Sequence, residues 1–445
     1  MSLEKKLEAS LQSRQQRQIL RSLPPPTSSN PHEDDRQLID FTSNDYLSLT
    51  SYEPLRRRFL EKLNDSRDVL GSGGSRLLVN GAGHHELETR LATFFDSPDA
   101  LLFNSGFDAN VGFFTCVPQE GDVVVYDEYI HASVHDGIRA SRARGEDYHG
   151  SFTHNSVESL RNVLLRFIDA MPGLKSGDSN VIVAVETLYS MDGTFAPLED
   201  IVDLVETLFP AGNGYVVVDE AHATGLYGRD GRGLVSHFGL EKRVFARLHT
   251  FGKALGSSGA VILTSPLVKA YLLNYARSLI YTTSLSAASV VAINCSFDLL
   301  EDGTSSKLAQ SLEELINYTL ELLRSCLEPF PRTLVSLPET LRSPPVSRIY
   351  PNTKHLLSPI IPLMTSAPRP LSARLREKGL NARPITWPTV PKGMDRVRVC
   401  LHAGNTKEHV ESLVHGIVEW ATQESERCRA QSDSKIGAVP LESKL

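Results

Sequence analysis

Along the middle of the chain, short runs of apolar residues alternate with longer mixed segments. The runs are ALLF (100–103), VVVY (123–126), VIVAVE (181–186), YVVVDEAH (215–222), LHTF (248–251) and AVILT (260–264). Several are apolar throughout rather than at every second position. A strand buried on both faces by helices has that pattern, so residues 41–300 are expected to form a large α/β domain around a mostly parallel sheet. In such sheets ligands bind at the carboxyl ends of the strands, and the residues just after each run are therefore the ones to inspect. Residues 301–330 have a helical pattern, and a Pro- and Ser-rich stretch follows over about 331–370. SPIIPL (358–363) and RVRVCL (396–401) read as strands, and segments near 371–379 and 407–422 as helices. Together these predict a small α+β domain over 301–425, with a loose polar tail over 426–445.

At the amino end, Leu3, Leu7 and Leu11 recur every fourth residue. That spacing predicts an amphipathic docking helix within 1–23, ended by Pro24, Pro25 and Pro26 and followed by a linker to residue 40. Arg14 and Arg17 would lie on its solvated face.

Composition narrows the functional classes. The 445 residues carry 46 Lys and Arg against 53 Asp and Glu, a net charge of −7. Nucleic acids and polybasic membrane contacts both need a positive excess, so neither is expected as a partner. The amino terminus has no apolar core of a secretory signal, and no segment approaches the ~20 apolar residues of a membrane span. Cys116, Cys295, Cys326, Cys400 and Cys428 are scattered without a CxxC pair, which predicts a reduced intracellular protein with no disulfide framework and no zinc site.

Four strand ends carry chemistry. In HTFGKALGSSGA, Lys253 ends a strand among Gly and Ser, where desolvation would make its amine a Schiff-base nucleophile. A surface lysine in a Gly-rich loop is the alternative. In VVVDEAHATG, Asp219 ends an apolar strand and needs a cationic partner. The pyridinium nitrogen of pyridoxal 5'-phosphate (PLP) is such a partner, and His222 could contact the ring's phenolic oxygen. A helix cap and a satisfied core histidine are the alternatives. FNSGFDAN (103–110) runs from a strand into a helix, where the amides of Gly106 and Phe107 could hold a phosphate, although a plain strand–helix turn looks the same. His131, after VVVY, could lie flat over a planar cofactor or merely pack at a helix start. GSGGSR (71–76) is Gly-rich but does not fit a dinucleotide fingerprint.

The order of these signals, phosphate turn, His, Asp-x-x-His and Lys, is that of the fold-type I PLP-dependent transferases. FTSNDYLSLT, GSGGSR, ALLFNSGFDAN, IHAS, ETLYSMDG, VDEAHATG, TFGKALG, YTTS and PTVPKGMDRVRV resemble the α-oxoamine synthases, in the family's order over about residues 1–420. The resemblance implies that Lys253 carries PLP and moves protons. It pairs Asp219 with the ring nitrogen and puts His222 and Ser190 at the ring oxygen. Gly106, Phe107 and Thr250 hold the phosphate, and His131 stacks on the ring. Thr282 and Thr283 reach the phosphate of a neighbouring subunit, implying a homodimer with shared sites. Arg398 grips the amino-acid carboxylate, while Arg21 and Thr389 contact substrate. Within the family the chain is most similar to members that condense L-alanine with pimeloyl-CoA to 8-amino-7-oxononanoate for biotin. Glycine or serine with another acyl-CoA is the alternative. A non-catalytic partner subunit is disfavoured because Lys253 is present. Two departures from the family pattern, Ser48 in NDYLSL and RLLVNG at 76–81, are expected near the acyl entrance. The terminal Ser443-Lys444-Leu445 is the peroxisomal import tripeptide, which predicts a peroxisomal address and an import receptor as partner.

Overall fold

The structure is a computed structural model that describes residues 1–17, 19–21, 23, 38–143, 145–343 and 356–436. The Ser443-Lys444-Leu445 tripeptide and the prolines at 24–26 lie outside the described residues.

Among the described residues, twelve strands run in chain order: β1 (Ile39–Asp40), β2 (Asp99–Phe103), β3 (Val123–Asp127), β4 (His149–Phe152), β5 (Val181–Glu186), β6 (Gly214–Asp219), β7 (Ala246–Thr250), β8 (Ala260–Thr264), β9 (Ile360–Met364), β10 (Leu380–Asn381), β11 (Arg383–Ile385) and β12 (Arg396–Cys400). Seven form the large sheet in the order β2-β8-β7-β6-β5-β3-β4. Its pairings are parallel except around β8, which runs antiparallel to both β2 and β7. The fully apolar runs are explained by what covers them. Val123, Val125, Val181, Val183, Val185, Val216 and Val218 face one core, with side chains of the helices Val157–Ala170 and Leu198–Leu208. The intervening Val124, Ile182, Ala184 and Val217 face a second core, with the helices Gly106–Cys116 and Ala132–Arg139. Burying such a side chain contributes about 1.5–3 kcal/mol, so alternate residues of one strand stabilise both layers.

The sequence pattern did not predict β4. It is an edge strand of sequence HGSF with only Phe152 buried, so it needs no apolar run. The YVVVDEAH run leaves the sheet at Asp219, freeing Glu220, Ala221 and His222 to turn across the strand ends.

The smaller unit is the antiparallel sheet β11-β12-β9 with the helices Thr304–Leu327, Pro368–Glu377 and Lys407–Ile436. The boundary expected at residue 41 is not where the packing divides. β1 pairs with β10, and Phe41, Tyr46, Leu47 and Leu49 share a core with Leu375, Val397, Val399 and Leu413. The Cys400 and Ala403 amides donate to the carbonyls of Phe41 and Tyr46 at 2.9 and 2.8 Å. Residues 39–55 therefore pack with the carboxy-terminal unit. The tail expected to be loose over 426–445 is helical as far as Ile436, where the described residues end. Its polar sequence suits a solvated extension held by local ties, such as Ser425 Oγ to the Ala421 carbonyl.

The amino-terminal helix is Leu3–Gln16, capped by Ser2, and buries none of its residues. It stops well before the prolines. The Ile19 amide donates to the Arg14 carbonyl at 2.9 Å, and the Arg14 guanidinium donates to the Ile19 carbonyl at 3.2 Å. Arg14, expected to be solvated, thus clamps the turn that leads to Arg21. Among the described residues, no helix is long and apolar enough to cross a membrane.

Candidate active site

Four adjacent strands, β7, β6, β5 and β3, bring Thr250, Asp219, Glu186 and Asp127 to one edge of the sheet. Glu186 and Asp219 are direct register partners. Over this edge lies a cleft of about 830 Å³, closed on its other side by Trp387–Pro391 and by Arg398 of β12. Lys253, His131, His222, Ser190, Thr389, Arg398 and Arg21 all line it. Residues from all parts of the chain thus meet in one cavity.

Lys253 sits three residues beyond the end of β7 at Thr250. It is half-buried; its carbonyl accepts from the Gly256 amide at 2.9 Å, while its Nζ makes no hydrogen bond or ion pair among the described residues. Burial lowers its pKa, against the opposing pull of the Asp219 and Glu186 carboxylates. Asp219 is buried; its Oδ1 accepts from the Ala221 amide and its Oδ2 from Asn110 Nδ2, both at 2.9 Å. No cation pairs with it among the described residues. His222 is buried with Nδ1 2.7 Å from Tyr46 Oη. Burial, reinforced by Lys253 and Arg398, holds it well below the ordinary imidazole range. Burial likewise pushes the Tyr46 phenol up. Glu186 is buried, and burial beside Asp219 raises it well above the usual carboxylate range. Its neighbour Glu220, pushed up by burial to about 7, accepts from Thr187 Oγ1 and the amides of Leu234 and Val235, fixing the turn after β6.

Arg398 Nη1 donates to the Ser190 carbonyl at 3.0 Å, and Nη2 to the Thr42 carbonyl and Asn44 Oδ1 at 3.2 and 2.8 Å. Its buried Nε has no partner. These three bonds leave two of its five N–H donors unspent, the buried Nε–H and one on Nη1, and a rigidly held cation with spare donors at a cleft suits a carboxylate ligand.

The phosphate candidates lie at the start of the helix Gly106–Cys116. The amides of Gly106 and Phe107 are its first two and have no intrahelical acceptor. Ser105 caps the helix by accepting from the Asp108 amide. Thr250 packs directly on Gly106: a Cβ there would lie 2.4 Å from Thr250 Cγ2. This cradle tolerates no side chain. Gly106→Ala is expected to cut PLP affinity at least about tenfold, read by cofactor titration, and Thr250→Ser, which removes the clashing methyl, to restore most of it. Unchanged affinity in Gly106→Ala would remove this turn from the site. Thr282 and Thr283 stand outside the cleft. The Thr283 carbonyl accepts from Asn104 at 2.5 Å, which sets this segment beside the phosphate turn of its own chain. His131 caps the helix Ala132–Arg139 and meets Phe107 edge-on, with centroids 6.4 Å apart.

The arrangement fits PLP. A carboxylate without a counter-cation, an unpaired amine, a glycine cradle at a helix start and an imidazole together match a pyridinium, an aldehyde, a phosphate and an aromatic ring. Sequence reasoning missed Asn44, Tyr46, Asn110, Ser133 and Glu186. Asn110 had a signal: it lies one turn after Gly106 within FNSGFDAN, on a helix face that is otherwise apolar. Asn44 and Tyr46 had none, because their partners are Arg398 and His222, remote in sequence. Ser48, expected near the acyl entrance, instead donates none of its chemistry to the cleft. It takes a left-handed conformation (φ 56°), and its Oγ accepts from the Gly404 amide at 2.9 Å.

The chain matches the aminotransferase class I and II family over residues 36–417. It is similar to the 8-amino-7-oxononanoate synthase of Emericella nidulans, 46% identical over 385 residues that cover 86% of this chain and 89% of the relative. It is also similar to the aminoacyl transferase sphA of Aspergillus fumigatus, 38% identical over 389 residues, 86% of this chain and 81% of the relative. Among solved structures, a serine palmitoyltransferase of Sphingomonas wittichii shares the fold. The TM-score is 0.77 at 24% identity, covering 95% of this chain and 99% of that one.

Proposed function

Because the chain belongs to the aminotransferase class I and II family and, within it, to the α-oxoamine synthases, we propose that it condenses L-alanine with pimeloyl-CoA. The products are 8-amino-7-oxononanoate, coenzyme A and carbon dioxide, in biotin biosynthesis. The observation that carries the chemistry is the unpaired amine of Lys253 in the cleft, within electrostatic reach of Asp219, a buried carboxylate at the sheet edge that has no cation of its own among the described residues.

Bound through Lys253, PLP supplies an electron sink for the carbanion formed at the amino acid's α-carbon. The chain's own residues do the rest. Asp219 holds positive charge on the ring nitrogen. His222, oriented by Tyr46, meets the ring oxygen, with Ser190 beside it. Gly106, Phe107 and Thr250 seat the phosphate, and Thr282 and Thr283 extend toward that of a second copy in a homodimer. Arg398 holds the amino-acid carboxylate with its guanidinium. Lys253, its basicity reduced by burial, takes the α-proton on Nζ and returns a proton to the product. Arg21, brought to the cleft by the Arg14 turn, meets the far carboxylate of the acyl chain, and Thr389 lies along its path.

The 38% identity to an aminoacyl transferase supports a second reading, the same chemistry on another amino acid and thioester. A panel of amino acids and acyl-CoA thioesters, followed by coenzyme A release, separates the two. L-Alanine with pimeloyl-CoA is expected to be the best pair. Arg21→Ala is expected to raise KM for pimeloyl-CoA about tenfold, the effect of losing one charge-assisted bond, with KM for L-alanine unchanged. A strong preference for palmitoyl-CoA would overturn the biotin reading and favour the second.

A further inference from the structure

A line of side chains runs from Asp219 to His131, and only Asp219 and His131 have so far been given a part in the reaction. Asn110 Nδ2 donates to Asp219 Oδ2 at 2.9 Å and to Ser133 Oγ at 3.0 Å. Ser133 Oγ lies 2.7 Å from His131 Nδ1, and the Ser133 amide points at the same nitrogen from 3.3 Å. Asn110, Ser133 and Asp219 are all buried.

The chemistry of these groups leaves one way to place the protons. A carboxylate only accepts, so the end of Asn110 that faces Asp219 must be its NH2. That group has two hydrogens, and Asp219 and Ser133 take both. Ser133 Oγ accepts from Asn110 and is left to donate its own proton to His131. Nδ1 of His131 thus faces a hydroxyl proton and an amide proton together. It must be the bare nitrogen of the ring.

We propose that Asn110 and Ser133 are positioning residues that transmit the charge of Asp219 to His131 as a fixed tautomer, a neutral ring whose single N–H is on Nε2 and serves the cleft as a donor. The proposal rests on the reading of Asp219 and His131 given above. It divides the work at the site: His131 offers a hydrogen bond to an oxygen of the substrate, and proton removal is left to Lys253. The surroundings act in the same direction. Burial lowers the His131 pKa, as does the charge of Lys253, against Asp219 and against Asp136 on its own helix. His135 of that helix and His222 are the other imidazoles that interact with it, and its backbone amide donates to Glu186.

The test is nitrogen NMR on the full-length PLP-loaded protein carrying 15N-histidine, with the His131 signals assigned through His131→Asn. The expected result is hydrogen on Nε2 and a bare Nδ1, unchanged as pH falls through about 6.5, where a free imidazole titrates. In Ser133→Ala and Asn110→Ala the ring is expected to sample both tautomers and to take up a proton at higher pH than in the wild type. Ser133→Thr, which keeps the hydroxyl, is expected to restore the wild-type spectrum. KM for the amino acid is expected to rise about fivefold in the two alanine variants, the effect of one weakened hydrogen bond, with KM for the thioester unchanged. Hydrogen on Nδ1 in the wild type, a wild-type ring that titrates near 6.5, or alanine variants that fold and keep the Nε2 tautomer would each overturn the proposal. Borohydride labelling of Lys253 in the same samples reports on the PLP reading separately, so the two can fail independently.

Discussion

Lys253→Ala is expected to abolish turnover while the fold survives. The amine of Lys253 makes no hydrogen bond or ion pair among the described residues, and the bond from the Gly256 amide to its carbonyl survives in alanine, so the substitution breaks no tie that holds the structure together. The chemistry, by contrast, loses both its covalent attachment point and its proton carrier. General acid–base groups alone contribute about 10²–10⁴-fold, and the loss of covalent attachment adds to that, so coenzyme A release is expected to fall by about 10⁴-fold or more. The wild-type protein is expected to be yellow, and borohydride is expected to fix the cofactor to the peptide containing Lys253. Label on another lysine, or activity in Lys253→Ala within tenfold of wild type, would remove Lys253 from its role.

Asp219→Asn is expected to lower kcat by about 10²–10³-fold, the scale seen when one preorganised electrostatic partner is lost from a reacting centre. The side chain keeps its shape, but the buried negative charge disappears, and with it the stabilisation of positive charge on the ring nitrogen. An amide at this position also cannot accept from both the Ala221 amide and Asn110 as the carboxylate does. KM for the thioester is expected to stay within about threefold, because Asp219 lies at the sheet edge and not among the residues that line the cleft. A kcat within threefold of wild type would mean that the ring nitrogen is served by another group.

The sequence singles out both residues because each is a charge at a strand end or just beyond it: Asp219 ends the apolar β6, and Lys253 lies three residues past β7. The large sheet was legible for a related reason. Strands such as β5 are covered on both faces and so carry uninterrupted apolar runs, while β4, at the edge, does not. Arg398 could be placed through the family pattern, but the frame that holds it could not. Asn44 and Tyr46 reach Arg398 and His222 only because β1 pairs with β10 and draws residues 39–55 into the carboxy-terminal unit. Pairing two-residue strands more than three hundred positions apart leaves no periodic trace. The amino-terminal leucines predicted a docking helix, and a helix forms, yet it buries nothing within one chain. Its end is set by the Arg14 clamp on Ile19, a side-chain contact that apolar spacing does not encode. Ser133 was overlooked because a small polar residue at a helix start is an ordinary cap, and Asn110 because a polar residue one turn into an apolar helix face does not by itself name its partner. Only their distances to Asp219 and His131 set them apart.

The central claim is that one active site joins an amino acid to a thioester with loss of the amino acid's own carboxyl group. It is tested most directly by incubating the protein and PLP with L-alanine labelled at the carboxyl carbon and with pimeloyl-CoA, and measuring labelled carbon dioxide and free coenzyme A together. The account predicts one labelled carbon dioxide for each coenzyme A released, and neither product from Lys253→Ala. Coenzyme A released without labelled carbon dioxide, or release that persists without Lys253, would contradict it.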